Sequence, residues 1–173
     1  PVVVTVDDGW YSSGSDVIQP ALQRGFPVTL YASTEVLVNQ SPVIDVSVHY
    51  ILWRASKETK LIRGLAPGVD GSFDLSKPAE VADLARRATD WIGASRAIPG
   101  SAADRLVKFA QAVVVSEDEL ALGSRRFHYL TGDELRALSR QGCAIELHGH
   151  THSYPAGRPE ALRADIQKCR DVL

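Results

Sequence analysis

The chain has 173 residues, long enough for one ordinary domain with a real hydrophobic core. Apolar residues make up 45% and charged residues 23%, which places it among globular chains and excludes disordered or fibrous classes. A net charge of -2, from 21 acidic against 19 basic residues, excludes the strong basic field that recruits nucleic acid or an anionic membrane.

No run is long and apolar enough to predict a membrane-spanning helix, and PVVVTVDDGW lacks the basic-then-apolar order of a signal peptide. The start at Pro1 and the absence of methionine read as a piece of a longer chain, or as methionines left unwritten. Residues 2–6 are a short β-branched run, which predicts a buried strand ending at Asp7-Asp8-Gly9. Residues 16–24 predict a helix capped or kinked by Pro20, Gly25 closes it, and 28–32 (VTLYA) predict a second strand. Strand, helix and strand in that order imply parallel pairing through a crossover helix.

The rhythm breaks over about 41–126. Apolar residues at near-helical spacing in 43–56, a Gly/Pro/Asp-rich loop at 64–71 and helical patterns at 79–91 and 101–112 predict a helical insertion. It resumes at 130–135, where Thr131 and Glu134 have the capping-box spacing that opens a helix. Gln141-Gly142 end that helix, 143–147 (CAIEL) predict a third strand, and the loop HGHTHSYP follows directly. Residues 159–173 predict a last amphipathic helix, with Pro159 in its first turn. Cys143 and Cys169 lack metal-site spacing and are expected as free thiols.

Two clusters carry chemistry, each just past the carboxyl end of an expected strand, where parallel α/β folds gather their ligands. Asp7 and Asp8 are adjacent carboxylates whose repulsion calls for a cation, although a turn-capping aspartate before Gly9 explains the pair equally well. His148, His150 and His152 alternate in one loop and take three of the five histidines. Imidazoles in such a pattern point to a metal of the zinc type. Aspartate with two histidines leaves a coordination position for water, and a spare carboxylate beside it could take a proton.

Thr5-Val6-Asp7-Asp8-Gly9 and the unit from Leu130 to His152 resemble the two leading motifs of the polysaccharide deacetylases, the NodB-homology carbohydrate esterases. The second of these motifs is His-Ser/Thr-x-x-His. Starting it at His148 puts His152 in the fifth position, whereas starting it at His150 puts Tyr154 there. The resemblance implies Asp7 as general base, Asp8, His148 and His152 as metal ligands, zinc as the ion, and an acetylated glycan as substrate. It implies an α/β fold, a distorted (β/α) barrel carrying a helical insertion. Gly149 stands where the family has a bracing hydroxyl, and Val6 where it has phenylalanine. The family's later arginine–proline, tryptophan and Leu-x-His segments find no match. Three strand-like units cannot close a barrel, so residues 1–173 are expected as the N-terminal part of one deacetylase domain.

HGHTH is also similar to the closing motif of calcineurin-like metallophosphoesterases, but no histidine lies between His49 and His128 to supply that family's middle motif. A non-catalytic, metal-stabilised glycan-binding domain is the third reading. Oligomeric state stays open, as does the compartment, cytoplasm or bacterial cell envelope.

Overall fold

The computed structural model describes residues 2–95, 98, 101–116 and 122–173. They divide into two compact units, Pro1–Gln40 with His128–Leu173, and Ser41–Phe127. The described strands are β1 (Val4–Asp8), β2 (Val28–Ala32), β3 (Thr59–Ile62), β4 (Gly71–Asp74) and β5 (Ala144–Leu147).

In the first unit β1, β2 and β5 form one sheet in that order, and both pairings are parallel. Helical segments fill the crossover between β1 and β2: Tyr11–Ser13, a π-helical turn at Gly14–Ile18, and Gln19–Gln23. The helix therefore starts well before residue 16. Pro20 has no amide to donate back along an α-helix, and the π-helical turn just before it shifts the hydrogen-bond register. The strand also differs from its expected span. Val2 and Val3 are exposed, while the ladder runs on through Asp7↔Tyr31 and Asp8↔Ala32, so both aspartates belong to β1.

One face of this sheet carries the core. Val28, Leu30 and Ala32 are buried with Ile18, Leu135, Leu138 and Cys143, and Val4, Val6 and Ile145 pack against them. Thr5, Asp7, Ala144 and Glu146 alternate onto the other side and are exposed. Helix Gly132–Arg140 opens with the capping box. The Glu134 amide donates to Thr131 Oγ1 at 3.2 Å, and the Thr131 amide donates to Glu134 Oε2 at 2.7 Å. Gly142, at φ 100°, takes the left-handed turn from that helix into β5. Both cysteines are buried free thiols, and burial pushes the Cys143 thiol up.

The second unit is not wholly helical. Helices Ile44–Arg54, Pro78–Gly93 and Ser101–Ala112 accompany an antiparallel pair, β3 with β4. The sequence hid this pair because each strand has only 4 residues and the Gly/Pro-rich connection looks like an ordinary loop. Asp70 folds that connection by accepting the amides of Gly64, Leu65 and Ala66. Ile62 and Phe73 then join Val48, Ile51, Leu84, Leu106 and Phe109 in a second, separate core. Among the described residues no helix is long and apolar enough to cross a membrane.

Candidate metal centre

The sheet register brings the chemistry to one rim. Asp8, Ala32 and Leu147 lie on the same rung, and His148 follows at once, its amide donating to the Ala32 carbonyl at 3.1 Å. Because β2 lies between β1 and β5, the Asp8 and His148 backbones stand two strand spacings apart, roughly 9.5 Å. Their side chains must meet above the end of β2. Ala32, Ser33 and Thr34 occupy that end, and all three are small and buried. Asp8 itself leaves strand geometry at φ 70°, a left-handed conformation that aspartate tolerates better than most residues, and Gly9 follows at φ 95°.

The outcome is a convergent triad. Asp8 Oδ1 lies 3.3 Å from His148 Nε2 and 3.0 Å from His152 Nε2. One donor atom from each of the three residues falls within 4.8 Å of the others. Donors at about 2.0–2.2 Å from a tetrahedral zinc ion stand about 3.3–3.6 Å apart, and the two separations from Asp8 Oδ1 lie near that spacing. The other carboxylate oxygen, Oδ2, accepts the Trp10 indole N–H at 3.2 Å, leaving Oδ1 turned to the imidazoles. Trp10 is held edge-on against Tyr129, and the Leu130 amide donates to the Gly9 carbonyl at 2.7 Å. The loop after β1 is thereby pinned. Side-chain exposure rises from 21% at Asp8 and 31% at His148 to 55% at His152, so the triad opens to solvent on the His152 side.

Asp7 and His150 are not part of the triad. Asp7 is exposed one rung back from Asp8, level with Tyr31 and Glu146, and its carboxyl is not among the converging donor atoms. His150 turns inward, where its buried ring places Nδ1 2.8 Å from Thr34 Oγ1. Its carbonyl accepts the Glu35 amide at 2.9 Å. His150 thus anchors the loop that presents its two neighbours.

The chain matches no protein-family model, no curated protein and no solved structure.

Three supporting residues escaped the sequence: Trp10, Thr34 and Asp165. Trp10 lies only two positions past Asp8, and an indole beside a paired carboxylate is a usable clue. Thr34 and Asp165 sit 116 and 15 positions from His150, the residue each one touches, and no local spacing marks them. Burial works to raise the Asp165 pKa, but hydrogen bonds from Thr151 and His150 outweigh it and hold the carboxyl below the usual aspartate value.

Proposed function

We propose that this chain carries the metal-binding half of a hydrolytic centre that removes acetyl groups from N-acetylated (or O-acetylated) sugars of a glycan. The observation that carries the reading is the approach of Asp8 Oδ1 to both His148 Nε2 and His152 Nε2 at the carboxyl rim of parallel strands. Three protein donors with an open side suit a catalytic rather than a structural zinc site, which is closed by four. When bound, zinc would supply a Lewis acid and an acidified water. Asp8, His148 and His152 would hold it. Asp7, next in the chain and solvent-exposed, would take the proton as water adds to the acetyl carbonyl carbon. The bond from that carbon to the sugar nitrogen (or oxygen) then breaks, Asp7 returns the proton to that departing atom, and acetate is released. The fold that accompanies this reading is an incomplete (β/α) barrel, supported by the parallel sheet, its helical crossovers and its one uncovered face.

The test is acetate release by the full-length protein from acetylated chito-oligosaccharide or acetylated peptidoglycan, with and without zinc. Zinc-dependent release, lost in Asp8→Ala and His148→Ala, is the expected result. Phosphodiester cleavage without acetate release would move the site to the metallophosphoesterase class. Glycan binding with neither reaction would make it a binding domain.

A further inference from the structure

The loop from His148 to His152 is braced by one carboxylate from outside it. Asp165, on helix Pro159–Val172, accepts the His150 amide through Oδ2 at 2.8 Å. Through Oδ1 it accepts the Thr151 amide at 2.9 Å and the Thr151 hydroxyl at 2.7 Å. It also lies beside Gly149, where an added Cβ would meet Oδ2 at 3.0 Å. One side chain therefore reaches all three residues between the two histidines of the triad. Gly149, at φ 86°, is the residue that leaves room for it.

The brace is itself fixed. Asp165 and Cys169 are four apart and share a helix face. Cys169 is fully buried, with Sγ 3.6 Å from the Ala32 carbonyl oxygen, so this face docks at the end of β2. The same end of β2 holds His148 through its amide and His150 through Thr34. Both histidines of the triad thus hang from a loop tied to β2 at one end and to Asp165 along its middle. A carboxylate suits that place because it only accepts, and three donors face it. An asparagine there would turn an NH2 toward one of them.

We infer that Asp165 is a positioning residue of the metal centre, one that sets the separation of the His148 and His152 Nε2 atoms before any ion arrives. The inference rests on the reading of Asp8, His148 and His152 as ligands. Residues that orient metal ligands without touching the ion are worth about 10–100-fold in affinity.

Zinc and cobalt(II) titrations of the whole chain test it, comparing wild type with Asp165→Asn and Thr151→Val. The expected result for Asp165→Asn is a zinc affinity about 10–100-fold weaker and an altered cobalt(II) visible spectrum. Amide exchange at His150 and Thr151 should also quicken in its metal-free form. Thr151→Val removes only the hydroxyl bond and should show the same changes on a smaller scale, which keeps the test open if Asp165→Asn does not fold. Unchanged affinity and an unchanged cobalt spectrum in the folded variants would overturn the positioning role and leave the metal reading standing. Failure of the wild type to bind either ion would overturn both.

Discussion

Asp8 holds a left-handed backbone, with one carboxylate oxygen facing two imidazoles and the other on the Trp10 indole. Trp10→Phe keeps a ring to pack against Tyr129 but frees Oδ2, so the carboxylate can rotate away from the histidines. Zinc affinity should fall about tenfold, the low end of what an orienting bond is worth. A competitive zinc titration that finds no change would show that the indole does not orient Asp8. Asp7→Asn should behave differently, because the amide keeps the shape and cannot accept a proton. Zinc binding should persist while turnover on acetylated glycan drops by about 10²–10⁴-fold, the usual contribution of a general base. At this scale the sequence was most legible where chemistry is repeated in a short span, as in Asp7-Asp8 and His148-x-His150-x-His152. Choosing among the histidines was harder. Spacing favoured His148 and His152, and the structure turns His150 into a buried anchor on Thr34.

The elements differ in how openly their sequences announce them. Helix Gly132–Arg140 was legible because Thr131 and Glu134 satisfy each other's backbone amides locally, without help from distant residues. Thr131→Ala should cost about 0.5–2 kcal/mol, read as a shift in a chemical denaturation midpoint. No shift would mean the box is dispensable. The β3–β4 pair was hidden because its turn depends on a single side chain, Asp70, reaching back to three amides. The Leu65 amide, the strongest of these, holds the Asp70 carboxyl below its ordinary 3.8, with partial burial opposing and Gly64 and Ala66 assisting. A carboxyl lowered on folding stabilises the fold fully above its unfolded value, and that stability is lost as pH falls through the folded value. Asp70→Asn should therefore be less stable than wild type near neutral pH, with the gap closing as pH falls below 3.8. A gap independent of pH would remove the charge from the explanation.

Across the whole molecule two cores are built from different stretches of chain, one around Leu30, Leu135 and Leu138 and one around Leu84, Leu106 and Phe109. The strand–helix rhythm breaks near 41, and the second compact unit begins at Ser41, where the chain starts a new core. The way the loop after β5 is braced was not legible, because Asp165 meets it only after helix Pro159–Val172 docks at the end of β2. Separate cores predict separate consequences. Phe109→Ala should destabilise the Ser41–Phe127 unit by about 3–5 kcal/mol, and zinc affinity should stay at the wild-type value. A parallel loss of affinity would tie the second core to the site.

The central claim is that Asp8, His148 and His152 together hold one divalent ion. Calorimetric titration of the metal-free protein with zinc, beside the three single alanine variants, tests it most directly. One equivalent bound by wild type, with binding lost or weakened at least 100-fold in each variant, is the predicted result. No binding by wild type, or equal binding by any one of the three variants, would contradict it.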